Sequence, residues 1–486
     1  MTSTLRRWWQ NWTMGAPEAA AERARARLGA HAWPIPLLGA LARLKEGGHS
    51  AYLVGGTVRD VLLGRETGSR WPDVATDLRP EEVTRRFARV VPTGLAHGTV
   101  TILETGCAIE CTTFRSDGGY SDARHPDHVE FTADPLVDLA RRDLTVNAMA
   151  WDPSTRELLD PHEGAWDIER RVLRAVGDAV ERFREDALRP LRVARLTATL
   201  GMEPEEPLRR ALAAMAASDG GYVGASVAAE RVRDELERML GAPQPSRGFE
   251  VLREAGLLSL WLPELARCRG VPQNRFHAYD VYYHSLYTCD AAPAGKLSVR
   301  WAALLHDIGK PDTRVERDGE GTFYNHQFVG AQIADRMLER LRLPLERRAE
   351  IVHLVREHMF DYRPGWSDAA LRRWIRRVGP GQVADLFDVR IADMLGNGLK
   401  QGFPTYLDEM RQRIERLLLE SRVLQVTDLA VDGHDVMREL GIDPGPAVGE
   451  ALEALLEEVL DDPARNTRDH LVERLRNRRA AITPRA

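Results

Sequence analysis

Two sets of residues in this chain have types and spacings suited to phosphate chemistry. The first begins at Gly55-Gly56, which follow the apolar run Tyr52-Leu53-Val54 and precede Val58, Val61, Leu62 and Leu63 at helical spacing. A strand feeding paired glycines at a helix start lets the backbone approach an anion and points N–H groups at it. Asp73, at a strand end, and Glu110, on a nearby strand, are carboxylates of the kind that hold magnesium, which often takes only one or two of them. A plain tight turn and a solvated strand-end aspartate are the simpler alternatives. The second set is His284, the adjacent pair His306-Asp307, His326, His353, His358 and Asp393. An adjacent His-Asp with a distant His and Asp offers nitrogen and oxygen donors for an octahedral metal. Scattered histidines mean little alone, but this pair sits in Leu304-Leu305-His306-Asp307-Ile308-Gly309-Lys310, inside an apolar helix.

The elements that must position these residues follow from the patterning. Residues 34 to 48 form a lead-in helix, with Leu37, Leu38, Leu41 and Leu44 at helical spacing and Gly47-Gly48 as its stop. Pro80 opens another helix. Strand-like runs cover 88–92, 98–104, 107–114 and 128–131. In the third, Ala108, Glu110 and Thr112 share one face and Cys107, Ile109, Cys111 and Thr113 the other. A mixed sheet with few helices therefore occupies about 50 to 160. From Asp167 onward the pattern is helical almost to the end, in blocks at 167–270, 275–400 and 405–480. The expected fold class is α+β: a small mixed-sheet head followed by helical domains.

The chain has 486 residues, enough for several domains, and a net charge of -6, which gives no global case for nucleic acid. Its positive charge is nearly all arginine, since Lys45, Lys296, Lys310 and Lys400 are the only lysines. Arginine suits bidentate contacts to phosphate and bases, although coding bias explains the same excess. The four cysteines, Cys107, Cys111, Cys268 and Cys289, show no zinc-type clustering. No apolar run reaches the roughly 20 residues that span a bilayer. The start of the sequence has no apolar core of signal-peptide type, so a cytoplasmic location and no membrane partner are expected.

Longer motifs carry a resemblance. Gly55-Gly56-Thr57-Val58-Arg59-Asp60, Leu62-Leu63-Gly64-Arg65 and Asp73-Val74-Ala75-Thr76 resemble the head of the class II tRNA nucleotidyltransferases (CCA-adding enzymes) and bacterial poly(A) polymerases. So do Glu110-Cys111-Thr112-Thr113-Phe114-Arg115, the loop Arg124-His125-Pro126-Asp127 and the block Arg141-Arg142-Asp143-Leu144-Thr145-Val146-Asn147-Ala148-Met149. The resemblance implies Asp73 and Glu110 as catalytic carboxylates holding Mg2+. It also implies Gly55, Gly56, Arg59, Arg142, Asp143 and Asn147 as nucleotide-binding residues. Glu185-Asp186-Ala187-Leu188-Arg189-Pro190-Leu191-Arg192 resembles the family's base-selecting helix, which implies that Asp186, Arg189 and Arg192 form an edge that reads C or A. Residues three apart share a helix face, and Pro190 predicts a kink or restart within that stretch. One position departs from the pattern: Trp71 stands where the family has its first catalytic aspartate. Glu66, Asp60 or a register shift would have to supply a second ligand, or Asp73 and Glu110 act alone.

The histidine block resembles the HD superfamily of metal-dependent phosphohydrolases. This implies His284, His306, Asp307 and Asp393 as ligands of a divalent metal such as Mn2+, Ni2+ or Mg2+, with His326 and His358 supporting a second metal or a phosphate. A degenerate, structural HD domain is the alternative. The expected organisation is a polar N-terminal extension at 1–33, a nucleotidyltransferase head at 34–160, a helical neck at 161–272, an HD domain at 273–402 and a C-terminal helical arm at 403–486. The expected function is addition or repair of the 3′-terminal CCA of tRNA from CTP and ATP, with tRNA rather than DNA as partner. The rivals are an A-adding enzyme, a poly(A) polymerase, and an HD phosphohydrolase with an impaired head.

Overall fold

The computed structural model describes residues 16–65, 72–118, 128–217, 227–275, 277–317, 320–363, 365–399, 405–420 and 424–482. Trp71, Glu66 and the Arg124-His125-Pro126-Asp127 loop lie outside them. The chain divides into two compact units, Met1–Ala266 and Arg267–Ala486.

The first unit holds the expected mixed sheet. Its strands are β1 (Ala51–Val54), β2 (Asp73–Thr76), β3 (Val90–Gly94), β4 (Thr99–Glu104), β5 (Cys107–Thr113), β8 (Ala150–Asp152) and β9 (Glu157–Leu159). They lie in the order β3-β4-β5-β2-β1-β8-β9, and β6 (Arg115–Gly118) and β7 (His128–Phe131) form a separate hairpin. Alternation places side chains as the pattern requires. In β5, Ile109, Cys111 and Thr113 are buried while Glu110 faces outward. Val54, Ala75, Phe114, Leu139 and Ala150 form a core cluster with Tyr52 and Leu159 against it.

β2 and β5 are parallel, and their register sets Asp73 beside Glu110. Neighbouring strands lie about 4.8 Å apart, and paired residues project on the same face. Two carboxylates 37 positions apart in the sequence are thus side by side on adjacent central strands.

The N-terminal stretch expected to be a polar extension contains a helix, Ala16–Ala30. It buries Ala19, Ala20, Ala24 and Leu28 and packs against the helices Gly56–Leu62 and Gly164–Arg170. Arg23 donates two hydrogen bonds of 2.7 Å to the Glu169 carboxylate. The apolar face is mostly alanine, so hydrophobic patterning understates it.

Pro190 acts as expected. The helix Ala179–Glu185 stops, Asp186 is extended, and a second helix, Arg189–Leu200, restarts with Pro190 in its first turn. Asp186 is therefore in the break between two helices rather than on one helical edge with Arg189 and Arg192. A two-stranded parallel ladder, Val172–Leu173 with Glu203–Pro204, also interrupts the helical region.

Among its described residues, the second unit is helical apart from the antiparallel pair Val315–Arg317 and Glu320–Thr322. The helices Val281–Ala291, Leu297–Leu305, His326–Arg340, Leu345–Glu357 and Val383–Gly396 pack on one another. Close approaches explain two glycines. A Cβ on Gly309 would lie 2.3 Å from the His326 carbonyl oxygen, and one on Gly396 would lie 2.4 Å from the Thr288 backbone nitrogen. The Gly of His-Asp-Ile-Gly-Lys is thus required by the helix that starts at His326.

Near the C-terminus, buried Asp435 accepts hydrogen bonds from Arg438 and Arg468. Burial pushes its carboxyl up, but bonds from Arg468 and Arg438 outweigh this and lower it to about 2. A folded value below the unfolded ~3.9 stabilises the protein above that pH and is lost as pH falls through the folded value. Asp435→Asn should therefore lower the thermal midpoint at pH 7, and the deficit should shrink as pH falls from about 4 towards 2. Thermal unfolding followed by circular dichroism across that range checks it; a pH-independent deficit would contradict it.

Candidate functional site

The head site begins with the turn at Gly55, whose φ of +61° and ψ of -129° suit glycine alone. A Cβ there would lie 2.9 Å from Arg142 Nη1 and 3.5 Å from Asp73 Oδ2. The Thr57 hydroxyl accepts a 2.8 Å bond from the Asp73 backbone N–H, which fixes the strand end against the helix start. Gly55, Gly56, Arg59, Asp73, Glu110, Arg142, Asp143, Asn147, Arg189 and Arg192 all line one cleft of about 820 Å³. All predicted head residues except Asp186 thus converge on one cleft. Burial, and then the Asp73 charge, raise the Glu110 carboxyl above its ordinary value. Like charges held together in this way are relieved by a cation.

Arginines supply the opposite wall. Arg142 donates to Asp138 at 3.0 Å and to the Asn147 carbonyl at 3.3 Å, yet its Nε is buried with no hydrogen-bond partner among the described residues. An unpaired buried guanidinium nitrogen beside a glycine turn suits an anionic oxygen. A connected set of polar contacts runs behind it. Arg59 donates to Asn147 Oδ1, Asn147 donates to Asp143 Oδ1 at 3.2 Å, and Arg192 donates to Asp143 Oδ2 at 2.9 Å. Burial raises the Asp143 carboxyl, but Arg192 and Arg189 hold it well below the usual carboxylate range. Asp143 also accepts from the Leu144 N–H at 2.8 Å, so its hydrogen bonds lie within the protein.

Arg189 is buried and donates to the Arg182 carbonyl at 2.8 Å and to Glu185. Asp186 accepts from Arg231 at 2.9 Å and from the Leu188 N–H at 3.1 Å. Asp60, considered as a substitute ligand, accepts from Arg59 at 2.9 Å and is not among the lining residues. Sequence reasoning missed Arg195 and Glu235, a buried ion pair that also lines the cleft. Arg195 extends the spacing Arg189, Arg192 by three, a signal that was available; Glu235 carries none.

Gly55→Ala should cut kcat/KM for nucleotide by roughly 10- to 100-fold, because the new methyl displaces Arg142 from a position set by the turn. Steady-state incorporation kinetics, with circular dichroism as a folding control, check this.

In the second unit, the histidines share one pattern. Nδ1 of His306, His326 and His358 lies 2.8, 2.8 and 2.7 Å from the carbonyl oxygens of Ala303, Phe323 and Val355, and that of His284 lies 3.3 Å from Gly396 O. Donation from each Nδ1 leaves the Nε2 lone pair directed inward. Those lone pairs meet in pairs: His284 and His306 Nε2 are 3.2 Å apart, as are those of His326 and His358. Facing lone pairs at that distance repel unless a cation lies between them.

Asp307 joins the two pairs. Its Oδ2 is 3.2 Å from His306 Nε2 and 3.5 Å from His284 Nε2, while its Oδ1 is 3.2 Å from His326 Nε2. Asp393 Oδ1 completes the first group, 3.1 Å from His284 Nε2. Two donor groups, His284-His306-Asp307 and Asp307-His326-His358, therefore share one carboxylate. Lys310 donates to Asp307 Oδ2 at 2.6 Å, and Arg390 to Asp393 Oδ2 at 2.8 Å. Burial and the neighbouring histidines push His358 down to about 3, which keeps its imidazole neutral. The predicted ligands are thus brought together, and His326 and His358 with them. His353 is elsewhere, bonded at 2.7 Å to the Val378 carbonyl.

A glycine turn, paired carboxylates and an arginine wall define a nucleotidyltransferase head, and the histidine cluster defines an HD domain. Comparison with known proteins agrees. Residues 51–174 match the Poly A polymerase head domain, 276–428 the HD domain, and 201–268 the model described as Probable RNA and SrmB- binding site of polymerase A. The chain is 32% identical over 447 residues to the CCA-adding enzyme of Geobacillus stearothermophilus, covering 91% of this chain and 97% of that protein. It is 36% identical over 422 residues to the A-adding tRNA nucleotidyltransferase of Deinococcus radiodurans, covering 84% and 91%. The crystal structure of the Bacillus stearothermophilus CCA-adding enzyme in complex with CTP superposes with a TM-score of 0.71 at 28% identity, over 92% of this chain and 97% of that one. The chain belongs to the class II CCA-adding enzyme and poly(A) polymerase family, with an HD domain.

Proposed function

We propose that this chain adds the 3′-terminal CCA of tRNA, or part of it, from CTP and ATP. The observation that carries this is the register of β2 on β5, which sets Asp73 beside Glu110 in the cleft bounded by Gly55 and Arg142. The two carboxylates suit Mg2+, which supplies charge neutralisation for phosphoryl chemistry when bound. Gly55, Gly56 and the unpaired Arg142 Nε would hold the triphosphate, and the Asp143–Arg192 contact would orient the base-reading helix. The RNA 3′ oxygen forms a bond to the α-phosphorus, the bond to pyrophosphate breaks, and the hydroxyl proton passes to solvent. In-line placement of the two oxygens is the main demand on the protein.

The test is incubation with tRNA lacking its 3′ end, labelled CTP or ATP, and Mg2+ or Mn2+. Incorporation of both nucleotides supports CCA addition. Addition of A with CTP unused supports the A-adding reading, which the Deinococcus relative favours. No incorporation with any metal rejects the transferase reading. Trp71→Asp restores the carboxylate found in the family; faster incorporation would mean that Asp73 and Glu110 act alone at a reduced rate.

For the HD domain the reading is a phosphohydrolase or phosphodiesterase. Its support is the pair of donor groups sharing Asp307. His284, His306, Asp307 and Asp393 would hold one divalent ion, and His326, His358 and the other Asp307 oxygen a second. Such ions supply a nucleophilic water at neutral pH and charge neutralisation. Lys310, within hydrogen-bond reach of Asp307, is placed to hold a phosphate oxygen nearby.

A further inference from the structure

The helix Val281–Ala291 presents His284 to the metal-ligand cluster, and it carries tyrosines beside it. At 3.6 residues per turn, Tyr283 and Tyr287 lie about 100° and 60° round the helix from His284. Tyr279 precedes the helix and joins them. Its ring centroid is 4.7 Å from that of Tyr287, edge to face, and Tyr287 stacks on Tyr283 at 6.0 Å with an interplanar angle of 18°. Tyr279 and Tyr287 remain 37% and 36% exposed, although aromatic rings of this size are ordinarily buried. Arg269 covers the Tyr283 ring at 4.8 Å, and it is held by Asp280 at 2.6 Å.

The strip is fixed in place on its other side. Tyr279 lies against Gly398, where φ is +82° and a Cβ would come within 2.5 Å of the ring. Gly398 is five residues after Asp393, another member of the cluster, and the Ala278 N–H donates to the Asn397 carbonyl at 3.2 Å. The segment that carries the rings and the segment that supports Tyr279 therefore each carry a member of the cluster, His284 and Asp393. Leu395 and Leu399, 50% and 55% exposed, lie on the same turn of chain and offer further apolar surface.

Adjacent aromatic faces with an arginine suit unpaired bases, which stack on any ring regardless of sequence. We propose that Tyr279, Tyr283 and Tyr287, with Arg269, form a stacking platform for the unpaired 3′ end of an RNA, which delivers its terminal phosphate to the HD site. This rests on the phosphohydrolase reading of that site and names its substrate class: a single-stranded RNA end rather than a mononucleotide.

The experiment uses the full chain with Mn2+ and two substrates, a single-stranded RNA of ~8 nucleotides ending in a 2′,3′-cyclic phosphate and the 2′,3′-cyclic mononucleotide. Tyr279→Ala and Tyr287→Ala should each raise KM for the RNA by about tenfold, within the range for loss of one stacked base, with kcat for the mononucleotide unchanged. Tyr279→Phe and Tyr287→Phe should restore the wild-type KM, because stacking needs the ring and not the hydroxyl. Equal effects on both substrates, or no effect on either, would overturn the platform. Binding of the same RNA to Asp307→Asn, followed by fluorescence anisotropy, separates the two readings. If the wild type hydrolyses neither substrate but the tyrosine substitutions still weaken RNA binding, the phosphohydrolase reading fails and the platform stands. Hydrolysis of RNA that ignores the tyrosines removes the platform alone.

Discussion

Replacing Asp73 by Asn should abolish nucleotide incorporation, by ~10³-fold or more, and Glu110→Gln should cost nearly as much. Both side chains leave the sheet at one register position, and among the described lining residues no third carboxylate is available to replace them. Asp143 is held by Arg192, Asn147 and the Leu144 N–H, and Glu235 is paired with Arg195. The usual tolerance of a redundant ligand set is therefore missing, and each loss is nearly complete. Labelled CTP and ATP incorporation on tRNA lacking its 3′ end measures the effect, with the thermal midpoint as a folding control. Glu110→Gln incorporation within threefold of wild type would show that Asp73 suffices.

The second large effect is at Asp307. Asp307→Asn should eliminate phosphoester hydrolysis and the bound divalent metal together, because the two oxygens face different histidine pairs. His326→Ala should remove about half of the bound metal and leave the rest, since His284, His306 and Asp393 still face the other Asp307 oxygen as one donor group. Metal analysis after dialysis provides the stoichiometry, and hydrolysis of a 2′,3′-cyclic nucleotide the activity. Nucleotide addition by the head serves as the internal control. Wild-type metal content in Asp307→Asn would contradict the shared-carboxylate arrangement.

Much of the head was legible because its signals are local or repeat with period two. Tyr52-Leu53-Val54 before Gly55-Gly56 is a strand and turn in the structure, and Cys107–Thr113 alternates as its residues require. Other features needed the third dimension. The helix Ala16–Ala30 escaped because alanine gives a weak apolar stripe, and its ion-pair partner Glu169 is 146 residues away from Arg23. The separation of Asp186 from Arg189 and Arg192 depends on where a helix stops, which Pro190 signalled without fixing. The pairing of His326 with His358 spans 32 positions and has no periodic signal. Those two histidines stood among several in the sequence, and the resemblance implied a second metal or a phosphate for them; only their facing Nε2 atoms mark them as a second donor group.

The contacts from Arg59 through Asn147 and Asp143 to Arg192 have one more consequence. They tie the helix after the glycine turn to the helix that begins at Arg189, so in the proposed reading the two ends of a nucleotide would be measured from a single frame. The span between them is a ruler of set length. In the proposed reading, a pyrimidine and a purine would differ at its far mark both in reach and in the hydrogen-bonding edge they present.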